Sequence, residues 1–334
     1  MRILVIGGGP AGYTAAIRAA QLGGQVTLVE RDALGGTCLH RGCIPTKALL
    51  HSAHMLHSIR RAGEVGIWVA EASPNLPGIM DYKQGVVARL HQGLQGLMRQ
   101  NRVRVVSGSA SLVSARKAAV ADTGEEIEAD AIIMAPGSRP RGLTAARGVP
   151  VWGSDDALSP SRLPASLVVI GGGVVGLEFA QLYRRMGTAV TVVEAMSCIL
   201  PGEDPEITDI LSGILKQEGI DIITGVGVEV LRQYGKEIAV ELTGRELRAE
   251  AVLVATGRQA VTDGLGLEGA GVVVEEGCIV VDGAMRTTAS SIFVAGDAAG
   301  SLMLAHAAMA EGEVAATSAA GYESTMDYSS VPRC

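Results

Sequence analysis

The sequence predicts an α/β fold made of two doubly wound parallel-sheet units, the second inserted into the first. Three observations carry this expectation. A glycine-rich turn follows a short β-branched run at two places, an acidic residue stands at a fixed distance beyond each turn, and a closing segment has no counterpart in the second copy.

The first copy opens the chain. The run "MRILVI" leads into Gly7-x-Gly9-x-x-Gly12, with Pro10 and Ala11 inside the turn, then the helical pattern "YTAAIRAAQLG", the strand "QVTLV" and Glu30. The second copy is "SLVVI", then Gly171-x-Gly173-x-x-Gly176 enclosing Val174 and Val175, the helix "LEFAQLYRRMG", the strand "AVTVV" and Glu194. Glycine and acid recur at the same offset of 164 residues, and the pairs Val26/Val190, Thr27/Thr191 and Val29/Val193 keep that register. Each part has a mechanical reason. The first glycine permits a tight turn, the second lets backbone approach a pyrophosphate, and the third lets helix pack on strand. The helix start offers unpaired N–H groups to phosphate, and the acid accepts from a ribose diol. Two Rossmann-like dinucleotide-binding domains are therefore expected.

A second echo supports the repeat. "DAIIMAPGSR", containing Gly137, matches "EAVLVATGRQ", containing Gly257, at an offset of 120. The first unit carries about 44 extra residues between its acid and this strand, and the stretch "LGGTCLHRGCIPTK" lies inside them. Ile44–Arg61 and Tyr82–Gln100 read as helices and Val103–Ala121 as short strands. "SRLPAS" reads as the linker opening the second domain. After about residue 265 the strand "SIFVAGDAAG" and the helix "LAHAAMAEGEVAATSAA" match nothing in the second copy, so they are expected to return and complete the first domain. The boundaries that follow are 1–150, 151–268 and 269–322, with 323–334 as the start of something further.

A length of 334 residues with 48% hydrophobic content suits about two domains. The net charge of −7, without a basic block, argues against a nucleic-acid or anionic-membrane partner. No apolar run approaches the roughly 18 residues of a membrane span, and the N-terminal run is too short for a signal peptide. A cytoplasmic protein is expected, in a compartment where thiols stay reduced unless they cycle. Cys198, Cys278 and Cys334 are isolated bystanders.

Cys38 and Cys43 admit three readings: metal ligands, a structural disulfide, or a working redox pair. A zinc site needs about four ligands, and CxxxxC has no second pair to complete it. The histidines His51, His54 and His57 fit a solvated helix face better than a metal face, so no metal is expected. In regular helix, five residues at about 1.5 Å rise put the Cα atoms too far apart to bridge. The chain must therefore kink at a helix start, and Gly42 beside Cys43 allows it. A kinked pair at a helix N-terminus has lowered thiol pKa values and is easily reduced, which is the profile of a cycling disulfide.

"GGTCLHRGCIPTK", the two glycine fingerprints, "ATGR" and "FVAGDAAG…LAHAAMAEG" together resemble the pyridine nucleotide–disulfide oxidoreductases over nearly the whole chain, and within them most resemble the dihydrolipoyl dehydrogenase branch. The resemblance implies FAD in the first domain and a nicotinamide nucleotide in the second. It implies Cys43 as the thiol facing the flavin and Cys38 as the thiol that exchanges with a dithiol substrate. Lys47 would lie by the flavin, buried and paired with Glu178. It further implies cofactor contacts from Gly36, Thr37, Ala110, Asp297 and Ala305 in the FAD domain, and from Glu194, Val228 and Gly257 in the nicotinamide domain. "VEAMSC" presents an acid and no arginine where a 2′-phosphate would bind, which favours NAD over NADP. The implied reaction is NAD-linked oxidation of dihydrolipoamide, the lipoyl group of a 2-oxo-acid dehydrogenase complex, by a homodimer.

The family pattern continues into an interface domain whose His–Glu pair serves the partner subunit, and "MDYSSVPRC" resembles its opening. No histidine follows His306. A chain lacking that domain is expected to reduce dyes with NADH, to turn over lipoamide far more slowly than a longer relative, and to be monomeric or weakly self-associating. Pro136, Ala260 and Ala307 are smaller departures. Two other functions remain open at this point: a two-domain NADH:disulfide or dye reductase, and a non-catalytic nucleotide-binding subunit. Cys38, Cys43 and Lys47 argue against the last.

Overall fold

A computed structural model describes residues 1–333, so Cys334 lies outside the described residues. The chain divides into two compact units. The first takes Met1–His40, Val87–Arg139 and the chain from Gln259 onward, and the second takes Arg41–Val86 and Pro140–Arg258.

The first unit is organised on a five-stranded parallel sheet, in the order Ile292–Val294, Ala131–Met134, Arg2–Ile6, Gln25–Glu30, Arg104–Ser107. Its central strands are buried on both faces, as the β-branched runs require. The return expected of "SIFVAGDAAG" is seen as the pairing of Ile292–Val294 with Ile132–Met134. The helices Pro10–Gln21 and Ala305–Ala319 cross so tightly that a Cβ on Gly312 would sit 2.4 Å from the Ala11 carbonyl oxygen. Small residues line that crossing because only they allow it. A three-stranded antiparallel ribbon, Ala110–Ser114, Lys117–Val120 and Glu126–Glu128, adds a second layer whose inward side chains share the core with the sheet.

The second unit has a four-stranded parallel sheet, in the order Ile220–Ile223, Ala189–Val193, Ser166–Ile170, Ala251–Val254. An antiparallel meander, Val228–Tyr234, Glu237–Leu242 and Arg245–Ala249, packs beside it. The helix Cys43–Arg61 belongs to this unit, and its Leu49, Ala53 and Leu56 enter the core formed with Phe179, Ala180 and Tyr183 of helix Val174–Met186. The break expected at Gly42 is present. The short helix Gly36–Arg41 stops, Gly42 takes φ −146° and ψ −119°, and Cys43 starts the next helix, where the Thr46 hydroxyl donates to the Gly42 carbonyl (2.7 Å).

The helix read from Tyr82 starts earlier, at Leu76, and runs to Gln100. Pro77 fits because it lies in the first turn, where its missing N–H costs no helical bond. Among the described residues, no helix is long and apolar enough to cross a membrane.

Candidate active site

In the first unit the functional residues gather at the carboxyl edge of the sheet, where open α/β sheets take their ligands. Gly7 has φ +102°, and its N–H donates to Val29 (2.8 Å); a Cβ there would lie 2.1 Å from the Ala135 carbonyl oxygen. A Cβ on Gly12 would lie 1.8 Å from the Gly7 carbonyl oxygen. The second unit repeats this: Gly171 has φ +113° and 2.4 Å of space to Ala255, and Gly176 has 2.0 Å to Gly171. The first and third glycines are thus demanded by the chain's own packing.

The middle glycines differ. Gly9 and Gly173 cap their helices with φ −72° and −78° and extended ψ, which any residue adopts. A Cβ at Gly9 would meet nothing closer than 4.0 Å, and one at Gly173 meets nothing within that distance. No atom of the described residues requires glycine there, so the bare helix start fits a group brought from outside. A pyrophosphate has that size and that need for N–H donors.

The acids repeat as closely. Glu30 accepts from the backbone N–H of Gly8 (2.6 Å) and of Asp32 (2.8 Å), one on each carboxylate oxygen. Glu194 accepts from Gly172 (2.7 Å) and Met196 (2.8 Å) in the same way. Both donor pairs obey the 164-residue offset. Each carboxylate is held by main chain and keeps acceptor capacity on both oxygens, which suits the two hydroxyls of a ribose.

The inserted cysteine segment is laid on the first glycine turn. The Gly35 N–H donates to the Gly8 carbonyl (2.8 Å), and a Cβ on Gly36 would sit 2.6 Å from the Gly9 Cα. Thr37 and Cys38, both half-buried, follow directly. At the neighbouring strand ends, the Ser138 hydroxyl, just after Gly137, donates to the Asp297 carboxylate. Gly137, Ser138 and Asp297 are thereby joined. The Gly108 N–H donates to the Glu30 carbonyl (2.9 Å), which brings the strand beginning at Ala110 to the same edge. Ala305 starts its helix. Buried Glu311 on that helix accepts from Gly296 N–H (2.6 Å), from Ser301 and from the Tyr328 hydroxyl (2.8 Å). Burial, and donation to this carboxylate, push the Tyr328 phenol up to about 12. His306 bonds Pro332 (2.7 Å).

In the second unit, Val226 donates to the Glu194 carbonyl (3.3 Å) two residues before Val228, and Gly257 follows the strand packed on Gly171. Lys47 and Glu178 form the expected ion pair, Nζ to Oε1 2.5 Å. The Lys47 side chain is 62% exposed and that of Glu178 26%. In a helix that packs through Leu49 and Ala53, position 47 falls on the outward face. An ion pair so exposed contributes only about 0–1 kcal/mol to stability. Among the described residues no cluster of His, Cys, Asp or Glu is arranged to hold a metal ion, and Cys198 and Cys278 are not in disulfides.

The family comparison decides what the two units amount to. The pyridine nucleotide-disulphide oxidoreductase family matches residues 1–312. The chain belongs to that family. It is 42% identical over 342 residues to the dihydrolipoyl dehydrogenase of Bacillus subtilis, covering 100% of this chain and 75% of that protein. It is also 42% identical to the Thermus scotoductus dihydrolipoyl dehydrogenase, covering 98% and 72%. Among solved structures, LpdA from Mycobacterium tuberculosis superposes with a TM-score of 0.91 at 32% identity, covering 99% of this chain and 75% of that one. The HOCl-induced flavoprotein disulfide reductase RclA from Escherichia coli gives 0.86 at 29%, covering 98% and 72%. The chain thus spans about three quarters of these relatives' length. As a pyridine nucleotide-disulphide oxidoreductase it is a flavin-dependent, NAD-linked enzyme of the dihydrolipoyl dehydrogenase type, with FAD and NAD(H) as cofactors.

The residues that sequence reasoning missed are the anchors. The 164-residue offset, carried one step further, points to Gly8/Gly172 and to positions 32 and 196. Glu311 and Tyr328 lie 17 apart with no periodic signature, and nothing in their spacing marks them.

Proposed function

We propose that Cys38 and Cys43 are the redox pair through which this enzyme oxidises a dithiol, and that the dithiol is a dihydrolipoyl group. The observation that carries this reading is the seating of the Gly35–Cys38 turn on the backbone of Gly8 and Gly9. A dithiol segment bonded to the pyrophosphate turn itself is suited to trade electrons with the nucleotide held there. FAD, when bound, supplies the two-electron relay between dithiol and nicotinamide.

The chain's own residues divide the remaining work. A substrate thiolate attacks the Cys38 sulfur, the Cys38–Cys43 bond breaks, and Cys43 leaves as a thiolate. The second substrate thiol then attacks the mixed disulfide, which closes the substrate disulfide and frees Cys38. Lys47, held by Glu178, provides a fixed cation beside the thiolate-bearing helix start. Gly7, Gly9, Pro10, Ala11, Gly12, Glu30, Gly36, Thr37, Ala110, Gly137, Asp297 and Ala305 would hold FAD. Gly171, Gly173, Val174, Val175, Gly176, Glu194, Val228 and Gly257 would hold NAD(H). Lipoyl groups of a 2-oxo-acid dehydrogenase complex, met in the cytoplasm, complete the proposal.

The deciding experiment is an anaerobic dithionite titration of the yellow protein. Four electrons per chain are expected for the wild type, and two for Cys38→Ser. A wild type that stops at two would overturn the redox-pair reading.

Glu30→Ala should weaken FAD retention by one or two ribose hydrogen bonds, roughly 1–3 kcal/mol, read as the Kd of FAD for the apoprotein. Unchanged FAD affinity would remove Glu30 from the site. Glu194→Ala with Met196→Arg should move preference from NADH towards NADPH. The change removes a carboxylate that repels a 2′-phosphate and adds a guanidinium at a residue that is 56% exposed. The check is the ratio of the two rates of flavin reduction by stopped flow. A ratio equal to the wild type's would refute the assignment.

A further inference from the structure

Two histidines, one between the cysteines and one on a distant helix, converge on a single backbone oxygen. His40 places Nε2 2.8 Å from the Leu34 carbonyl oxygen, and His91 places Nδ1 3.0 Å from the same atom. Their rings stand edge to face with centroids 5.0 Å apart. A carbonyl oxygen only accepts, so both contacting nitrogens carry hydrogen. On His91 the other nitrogen, Nε2, lies 2.9 Å from the side-chain nitrogen of Gln95. That contact ties the far side of the His91 ring to its own helix.

Leu34 is 7% exposed, and it starts the turn that bears Cys38. On one side the Gly35 N–H is bonded to Gly8, and on the other the Leu34 carbonyl is held by two imidazoles. Gly35 and Gly36 have φ of +110° and +57°, so the turn between them and Cys38 is a backbone path that few residues could retain unaided. We propose that His40 and His91 are positioning residues that clamp the Leu34 carbonyl and so fix the turn carrying the exchanging thiol of Cys38. The proposal rests on the redox-pair reading above. Nothing in the family fingerprint requires a histidine at position 91, which is 57 residues from Leu34 in sequence.

The expected consequence lies in the strength of the disulfide. Reducing the Cys38–Cys43 bond with two glutathione molecules yields two protein thiols and one glutathione disulfide, and its equilibrium measures how well the turn presents Cys38. Loosening the turn lowers the effective concentration of one thiol for the other. The purified holoprotein and its variants would be equilibrated in glutathione buffers, and the dithiol fraction read by alkylation and mass spectrometry. H40L/H91L should favour the dithiol about tenfold more than wild type, which is about 30 mV less negative. H40Q, which keeps a side-chain N–H at similar reach, should stay within about twofold. A double variant within twofold of wild type overturns the clamp, as does H40Q shifting as far as the double variant. If the double variant fails to retain FAD, the single variants H40L and H91L decide, each expected at about threefold. A wild type with no glutathione-titratable bond would instead sink the redox-pair reading and is distinguishable on that ground.

Discussion

Cys43→Ser is expected to lower NAD-linked dithiol oxidation by on the order of 10³-fold or more, because a hydroxyl neither forms nor releases a disulfide at neutral pH. NADH oxidation by an artificial dye needs only the two nucleotides, so it serves as the internal reference in the same preparation. The quantity to measure is the ratio of the two rates. Cys38→Ser should lose the dithiol reaction equally, and the two losses should not add, since the residues act as one unit. A Cys43→Ser enzyme that retains a tenth of dithiol turnover would show that the electrons travel by another route.

The second large effect separates two glycines of one motif. Gly12→Ala forces a Cβ to within 1.8 Å of the Gly7 carbonyl oxygen, so strand and helix must part. A loss of about 4 kcal/mol or more is expected, in the range reserved for backbone strain in a core. Gly9→Ala meets no protein atom closer than 4.0 Å and starts from an ordinary φ, so the apoprotein should melt within about 0.5 kcal/mol of wild type. Its defect should appear only as lost FAD affinity. Thermal melts of the apoproteins, paired with FAD titrations, test both halves. Equal destabilisation by the two substitutions would contradict the packing argument, and full FAD affinity in Gly9→Ala would remove that glycine from the pyrophosphate path.

The architecture was legible where the sequence repeats itself. Glycine turns, acids and strand echoes have fixed spacings because each is one βαβ unit, and the units stand in the structure at the offsets read from the chain. The kink at Gly42 was legible too, since two cysteines five apart could not bridge along one helix. What spacing could not convey is which backbone groups meet a side chain after folding. The clasp of His40 and His91 on Leu34 depends on where helix Leu76–Gln100 passes, and no periodicity encodes that.

The way Glu194 is anchored bears on how such enzymes diverge. Its two donors are main-chain groups of Gly172 and Met196, so the residue at 196 contributes its N–H whatever its side chain. The frame that holds the acid is therefore insulated from the side chain at 196. Mutations at 196 can change the side chain without removing the donor, and drift there is buffered by the backbone. In the first unit Asp32 donates its main-chain N–H to Glu30 in the same way. A duplicated module with this separation can specialise its two halves for different nucleotides by side-chain change alone, while both copies keep one fold.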